Sequence, residues 1–467
     1  MIATLPALLI ATSHPLAPKL KAALQEIADA SAQKYACTFA IALRGEDGLQ
    51  VSVGSGSAGS EAMFVWGSVT KLITGASALR AAHAGYFALD DPIAPILDPY
   101  FAAQGAANLT LEGLFGPLAK HVTVRQLATM TAGVPDYDTA KPNETDFSKS
   151  TDPFRAIVYH EPSKDWSPFD LLRVPWVAKG KMEFPPGTHK AYSSTNFVLL
   201  GLVLAATVGR GVPWDRFDQL AFRPPHDAAS GLLNHSRFAR HGAPSQYTSL
   251  DAYDRTSYNG HNASALPGTS VRDVHGVFGG WTASDLVAPV QDVADLAFDI
   301  YGPQTDSSLV SAADVAMMVN KSQVWYGFAT FLLDAFTGLP TDAPPPAVDY
   351  GTCYGHLGAT YGWNSVVFFT PGTNVSIAVA TNTETNEQAG PSDAYCLAYN
   401  RVRQLLAGGT GPVHDCSYVA SGYFGTCVCP DTKYKCEVSH DGNNNRRCVV
   451  SHFATQSYDE CAESCKS

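Results

Sequence analysis

A serine and a lysine three residues apart are the first residues in this chain whose types and spacing could do chemistry together. Ser68 and Lys71 lie in the stretch FVWGSVTKLITGASALRAAHAG, among apolar and small side chains. If a helix begins near Ser68, side chains three apart share one face, so the hydroxyl and the amine can touch. Apolar neighbours such as Val69 and Leu72 would partly desolvate Lys71, which lowers the pKa of a lysine. The spacing indicates a base beside a nucleophile, although a helix-capping serine with a surface lysine gives the same pattern.

The elements that must position this pair are strands at both ends of the chain and helices between them. Residues 18–34 show helical spacing, and TFAIAL and LQVSVGSG follow as a hairpin joined by Asp-Gly. Residues from about 89 to 272 combine long loops with helical segments such as VTVRQLATMTAG and NFVLLGLVLAATVG. Strands resume in YGFATFLLD, NSVVFFTP and NVSIAVATN, and a helix follows at about 394–407. We therefore predict an α+β protein with one antiparallel sheet flanked by helices, plus a helical lobe.

Three further motifs follow FVWGSVTK in a fixed order. They are VTVRQLATMTAGVPDY, FPPGTHKAYSSTNFVLLG and YGHLGATYGWNSVVFFTP. Over roughly residues 34–408 the chain resembles the serine β-lactamase and penicillin-binding-protein-like family, in the branch of class C β-lactamases, DD-peptidases and related esterases. The resemblance implies a β-lactamase/transpeptidase-like fold and an acyl-enzyme at Ser68, with Lys71 and Tyr192 as catalytic partners. It implies neither a metal nor an organic cofactor.

Tyr192 and Ser194 represent the Y-x-N motif of that family, with Ser194 where asparagine is expected. A tyrosine has an unperturbed pKa near 10. Tyr192 can therefore exchange a proton at neutral pH only if cations such as Lys71 lower that value or if the proton is shared. The shorter side chain of Ser194 has fewer hydrogen-bonding atoms to hold a substrate amide or to orient Lys71.

The segment His356-Leu357-Gly358 stands in place of the family's K-T-G or H-x-G triplet. By resemblance, His356, Gly358 and Ala359 belong to the substrate-binding set with Ser194. The backbone N–H groups of Ser68 and Ala359 would form an oxyanion hole, and Gly358 would let the backbone approach the substrate. Because His356 is mostly neutral near pH 7 and Leu357 would put an alkyl group beside the pocket, we expect weak carboxylate binding. That binding should partly recover toward pH 6, where His356 would charge.

Composition limits the partners of the chain. A net charge of -12 argues against nucleic acid or an anionic membrane, and no apolar run reaches the roughly 18 residues of a spanning helix. We expect a small-molecule ester, amide or peptide substrate and no stable membrane insertion. The leading hypothesis is a serine hydrolase, closer to an esterase or peptidase than to an efficient β-lactamase. The alternative is a catalytically weak binding or structural glycoprotein that kept the fold.

Seven of the ten cysteines lie between Cys416 and Cys465. This density predicts a small disulfide-bonded module made in an oxidising compartment, and the C-x-x-C pairs of a zinc site are missing. The odd cysteine of the tail would pair with the main domain through Cys396 or stay unpaired. Cys353 with Cys396 is a competing pair.

Secretion is the predicted route for the chain. Six N-x-S/T sequons occur, at Asn108, Asn143, Asn234, Asn262, Asn320 and Asn374. Residues 1–17 resemble an imperfect signal peptide, with an apolar stretch but no basic start. We expect a hydrolase domain over residues 18–408 and the cysteine-rich tail over 409–467.

Overall fold

A six-stranded antiparallel sheet, built from both ends of the chain, is the central element of the computed structural model. The structure describes residues 14–56, 58–138, 152–221, 232–256, 267–320, 322, 325–334, 352–406, 416, 434–438 and 446–450. The helices are α1 (Ala17–Tyr35), α2 (Thr70–His83), α3 (Ala94–Ala103), α4 (Leu111–Phe115), α5 (Val124–Ala128), α6 (Pro153–His160), α7 (Pro168–Arg173), α8 (Ser194–Thr207), α9 (Val290–Tyr301), α10 (Ala312–Met318) and α11 (Ala389–Leu406). The strands are β1 (Phe39–Gly45), β2 (Gln50–Gly54), β3 (Met63–Val65), β4 (Arg237–Phe238), β5 (Tyr253–Asp254), β6 (Thr269–Ser270), β7 (Leu286–Pro289), β8 (Phe331–Asp334), β9 (Thr352–Thr360), β10 (Trp363–Thr370), β11 (Val375–Thr381), β12 (Thr383–Glu384), β13 (Tyr434–Val438) and β14 (Arg446–Val450).

The order of strands in the large sheet is β2-β1-β11-β10-β9-β8. Every neighbouring pair is antiparallel, and the predicted hairpins β1-β2 and β10-β11 both form. β1 lies between β2 and β11, so the sheet joins segments more than 300 residues apart. The predicted α+β class, with one sheet assembled from distant segments, is confirmed.

The two faces of the sheet bury side chains of different size because successive residues of a strand point to opposite faces. Ile41 and Leu43 of β1 pack with Leu20 of α1 in a core beneath α1 and α11. Ala40 and Ala42 point to the other core, on the side where α9 crosses the sheet. The short side chains let α9 lie close to β1. This alternation fixes which of the two cores each strand residue faces.

Helix α8 is the centre of the helical lobe. Its residues from Ser194 to Ala205 are buried, and it contacts α2, α3 and α5. A helix that is apolar all round needs such a surrounding shell. With 14 residues it is about 21 Å long, short of the roughly 30 Å of a bilayer core. None of the helices in the described ranges is long and apolar enough to cross a membrane.

Several predicted elements are shorter than their sequence patterns suggest. The capping box Thr123–Gln126 starts α5, but Met130 has φ 59° and the helix ends at Ala128. In YGFATFLLD only β8 is a strand, because Ala329 has φ 55° and donates its N–H to the carbonyl of Ala128. Tertiary contacts therefore override the local patterns here. The middle of the chain also contributes β4, β5 and β6 to two small three-stranded sheets.

A disulfide joins the tail to the main domain. Cys396 of α11 is bonded to Cys416, which confirms the predicted link of the odd tail cysteine. The competing pair of Cys396 with Cys353 is therefore wrong. β13 and β14 pair antiparallel, with Cys436 opposite Cys448 in the register. The rest of the tail framework, the boundary near residue 409 and the first 13 residues of the proposed signal peptide lie outside the described residues.

Non-reducing peptide mapping should recover one peptide pair joined through Cys396 and Cys416. A Cys416→Ser variant should lose that pair while its main domain stays folded, since α11 is held on the sheet by its own buried face. Recovery of a Cys353–Cys396 peptide from the unmodified protein would contradict this pairing.

Candidate active site

Ser68 and Lys71 occupy the junction between a tight turn and helix α2. Ser68 lies in the 3₁₀ turn Gly67–Val69, immediately before α2, and its side chain is half-buried. Lys71, one turn later, points its Nζ to within 2.9 Å of Ser68 Oγ. The predicted contact between hydroxyl and amine is therefore present, with the hydroxyl on the more accessible side.

The Lys71 amine is fully buried and surrounded by hydrogen-bond acceptors. Besides Ser68 Oγ, it lies 3.3 Å from Ser194 Oγ and 3.0 Å from the carbonyl oxygen of Ala283. These three oxygens match the three donors of a lysine ammonium. Burial lowers the pKa of Lys71 to about 7, with the nearby charges of Asp136 and Asp138 opposing it. The amine is therefore poised between its charged and neutral forms near neutral pH.

Tyr192 completes the centre. Its phenol oxygen hydrogen-bonds the hydroxyls of Ser68 and Ser194, and Lys71 Nζ lies 5.1 Å from its ring centroid. Burial is the largest influence and raises the pKa of Tyr192 well above its usual value. The condition that nearby cations lower this pKa is therefore not met. The second condition can still be met, because Tyr192 can share its phenolic proton with the hydroxyls of Ser68 and Ser194.

Ser194 contacts Lys71 rather than open solvent. It is the first residue of α8 and only 2% exposed. Its Oγ faces Lys71 Nζ, while its backbone N–H donates to Asp136 Oδ1 at 2.9 Å. The serine thus orients the lysine directly, which its short side chain made uncertain from the sequence. Its burial leaves little surface for a substrate amide.

Gly358 and Gly67 let β9 press against the turn that carries Ser68. A Cβ on Gly358 would lie 2.2 Å from the carbonyl oxygen of Trp66 and 2.1 Å from Ser365 Oγ. A Cβ on Gly67, whose φ is +51°, would lie 2.6 Å from the carbonyl oxygen of Ala359. The close approach at Gly358 is thus made to protein backbone, whereas the sequence suggested an approach to substrate. It brings the backbone of Ala359 beside that of Gly67, the residue before Ser68.

His356 and Leu357 do not lie where the sequence placed them. His356 is fully buried, its Nε2 is 3.0 Å from the Tyr326 hydroxyl, and its Nδ1 is 2.6 Å from the carbonyl oxygen of Leu357. Burial, aided by the charge of Lys71, lowers the pKa of His356 well below its usual value. The expectations that His356 touches substrate and charges near pH 6 are therefore corrected. Leu357 packs into the core beneath α1 and α11, on the opposite face of the sheet.

Two groups near Lys71 were missed by the sequence analysis. Asp136 lies in VTVRQLATMTAGVPDY, one of the ordered motifs, but no role was predicted for this carboxylate. The carbonyl of Ala283 belongs to a turn 212 residues from Lys71, and no sequence pattern marks a backbone acceptor.

Among the described residues, no group of His, Cys, Asp or Glu side chains is arranged to hold a metal ion.

The glycine contact at β9 gives a direct test of the site geometry. We expect Gly358→Ala to lower the free energy of unfolding by about 1–3 kcal/mol, because the new methyl meets the rigid backbone of Trp66. Any catalytic activity should fall with it. Gly59→Ala is the matched control, since a Cβ there meets nothing within 4 Å. Thermal unfolding measures both variants, and equal stability of Gly358→Ala and wild type would refute the close contact.

Solved structures with the same fold include amide-hydrolysing enzymes. A D-stereospecific amidohydrolase from Streptomyces sp. is 20% identical with TM-score 0.59, covering 84% of this chain and 99% of its own. A D-amino acid amidase from Ochrobactrum anthropi SV3, complexed with D-phenylalanine, is 17% identical with TM-score 0.60, covering 84% and 100%. An octameric penicillin-binding protein homologue from Pyrococcus abyssi is 19% identical with TM-score 0.55, covering 84% and 77%. At these identities the likeness establishes the fold.

The family follows from a match to the sequence itself. No curated protein matches the chain. The Beta-lactamase family model matches residues 39–399, a span that contains Ser68, Lys71, Tyr192 and Gly358. This match confirms the resemblance and the β-lactamase/transpeptidase-like fold. The chain belongs to the Beta-lactamase family.

Proposed function

We propose that the protein is a serine hydrolase that forms an acyl-enzyme at Ser68 and cleaves an amide, peptide or ester bond of a small substrate. The observation that carries the proposal is the fully buried Lys71 amine, 2.9 Å from Ser68 Oγ. An amine with a pKa of about 7 is half neutral near pH 7 and can take a proton from a neighbouring hydroxyl. A surface lysine would be charged and unable to do so.

In the first half of the reaction, Ser68 Oγ attacks the substrate carbonyl carbon as its proton passes to Lys71. The N–H groups of Ser68 and Ala359 would stabilise the resulting oxyanion, an effect worth about 3 kcal/mol for each donor in known cases. Collapse breaks the bond to the leaving group, which takes the proton held by Lys71. In the second half, water attacks the acyl-enzyme, Lys71 again accepts a proton, and the acid is released as Ser68 is restored.

Tyr192 serves this cycle in its protonated form. Because burial raises its pKa, the phenol acts as a donor and relay, and Lys71 alone acts as the base. Its hydrogen bonds to Ser68 and Ser194 give the proton a path between the nucleophile and the leaving group. This division of labour replaces the shared general-base role that the sequence suggested.

The charges around the centre favour neutral or cationic substrates. His356 is neutral and buried where relatives with K-T-G carry a lysine, and Asp136 and Asp138 add negative charge near Lys71. A substrate carboxylate would meet these groups without a matching cation at the triplet position. Two structural neighbours are named as a D-stereospecific amidohydrolase and a D-amino acid amidase. We therefore place amides and esters without a carboxylate ahead of penicillins.

We propose that the protein is secreted and glycosylated. Three sequons in the described residues, Asn108, Asn234 and Asn320, are exposed, and Asn374 is half-buried in the turn between β10 and β11. The disulfide between Cys396 and Cys416 fits an oxidising compartment. Asn143 and Asn262 lie outside the described residues.

Substitution of the nucleophile and base tests the proposed mechanism. Ser68→Ala should abolish turnover and labelling by a fluorophosphonate probe, and Lys71→Ala should lower kcat/KM by about 10³-fold or more. Lys34→Ala is the control, because Lys34 pairs with Asp393 on the α1 face of the sheet. Full turnover by folded Ser68→Ala would exclude the acyl-enzyme. Failure of every serine-directed probe on folded wild type would favour the binding-protein alternative.

The pH profile follows from Lys71. Its neutral form is the base, so kcat/KM for a neutral ester should rise with pH through about 7 and be lost at lower pH. Steady-state rates between pH 5 and 9 measure this limb. A profile flat down to pH 5 would mean that another group takes the proton.

A substrate comparison tests the charge preference. At pH 7.5 we expect neutral short-chain esters and amino-acid amides, tested as D and L forms, to exceed benzylpenicillin in kcat/KM by at least about tenfold. One missing charge-assisted hydrogen bond accounts for that factor. Benzylpenicillin should gain nothing at pH 6, since His356 stays neutral. Penicillin hydrolysis faster than that of every neutral substrate would contradict the preference.

A further inference from the structure

The loop that follows α5 brings a carboxylate to the junction of α2 and α8. Asp136 Oδ1 accepts the backbone N–H of Ser194 at 2.9 Å. Ser194 Oγ in turn lies 3.3 Å from Lys71 Nζ. One residue thus connects the Asp136 carboxylate to the buried amine, and the carboxylate holds the backbone of that residue in place.

Asp136 also satisfies the start of α8 from outside the helix. Ser193, at the N-cap position, makes no side-chain capping bond, so the first N–H groups of the helix need other acceptors. Asp136 supplies one, and a carboxylate is favoured at this end of a helix dipole. A second tie between the same segments runs from the Tyr137 N–H to Thr195 Oγ1 at 2.9 Å. The loop after α5 therefore stays attached to the start of α8 even without the Asp136 carboxylate.

The groups that face Lys71 come from five parts of the fold. Ser68 comes from the turn before α2, and the Ala283 carbonyl comes from the turn before β7. Tyr192, Ser194 and the Phe197 ring come from the start of α8 and the residues just before it. His356 comes from β9, and Asp136 and Asp138 come from the loop after α5. His356 is neutral, so within this set the two carboxylates are the charges that oppose the effect of burial.

The two carboxylates differ in what they bind. Asp138 accepts a hydrogen bond from the Tyr361 hydroxyl at 3.2 Å and lies near the charge of Arg155. Asp136 binds the residue that touches the base. Removal of Asp138 would therefore change the field at Lys71, whereas removal of Asp136 would change both the field and the anchoring of Ser194.

We propose that Asp136 is a positioning residue of the catalytic centre, whose carboxylate anchors Ser194 at the start of α8 and keeps Lys71 basic enough to accept the Ser68 proton. This inference rests on the proposed function. A buried lysine without a nearby negative charge is neutral over a wider pH range but is a weaker base. Asp136 thus sets where on the pH scale the centre works.

Asp136→Asn separates charge from anchoring, because an amide oxygen can still accept the Ser194 N–H. Loss of the negative charge destabilises protonated Lys71, so the acid limb of kcat/KM for a neutral ester should move to lower pH. The fraction of plateau activity kept at pH 6 should increase, by about fivefold if the limb moves from about 7 by one unit. Asp136→Ala should show the same displacement and in addition lose about 10–100-fold in plateau kcat, with KM little changed.

Asp90→Asn is the matched control, since Asp90 forms an exposed ion pair with Arg125 in the same lobe. Its pH profile should equal that of wild type. An unmoved acid limb in folded Asp136→Asn would overturn the inference.

If Asp136→Asn does not fold, Asp136→Glu decides, because it keeps the charge on a longer side chain. Its limb should stay in place while its plateau falls, and a limb moved to low pH would overturn the inference. Absence of wild-type labelling at Ser68 would instead reject the proposed function.

Discussion

Burial of the Lys71 amine is the constraint on which the rest of the site depends. An amine removed from water loses its charge unless acceptors replace the solvent, and three oxygens from separate segments do so here. Ser68 lies only three residues from Lys71 in the sequence, whereas Ser194 and the Ala283 carbonyl require α8 and the turn before β7 to pack against α2. The apolar character of α8 drives that packing. The same burial that stabilises the helical lobe therefore sets the chemistry of the lysine.

The large sheet contributes geometry rather than charge. Pairing of β8 with β9 extends from Thr352 to Gly355, so the second half of β9 is left to meet the turn that carries Ser68. Two glycines make that meeting close enough for backbone to contact backbone. Larger residues at either position would separate β9 from the turn that carries Ser68. Strand alternation then decides that His356 faces the lobe and Leu357 faces α1 and α11.

The sequence predicted what depends on local spacing and failed where tertiary contacts decide. Ser68 and Lys71 are one helical turn apart, so their contact could be derived before any fold was known. That one antiparallel sheet joins distant segments followed from strand patterns at both chain ends, whereas the order of its strands did not. The motif at residues 356–358 indicated the strand correctly, but not that His356 would be enclosed by Tyr326 and its neighbours. The role of Asp136 depends on a bond across 58 residues, which no local pattern marks.

A buried guanidinium fixes the end of β9 that follows Ala359. Arg155 binds Glu384 through two nitrogens at 2.7 and 2.8 Å and also binds Asp152 and Asp254. Glu384 accepts the N–H of Gly362, in the turn that joins β9 to β10. Removing one partner of such a buried set leaves an uncompensated charge, which typically costs about 3–5 kcal/mol. The chain around Ala359 is thus held at one end by the bond between Gly362 and Glu384 and at the other by the close contacts of Gly358 and Gly67. The N–H group that would face an oxyanion therefore lies on a segment fixed at both ends, which is the preorganisation that transition-state stabilisation requires.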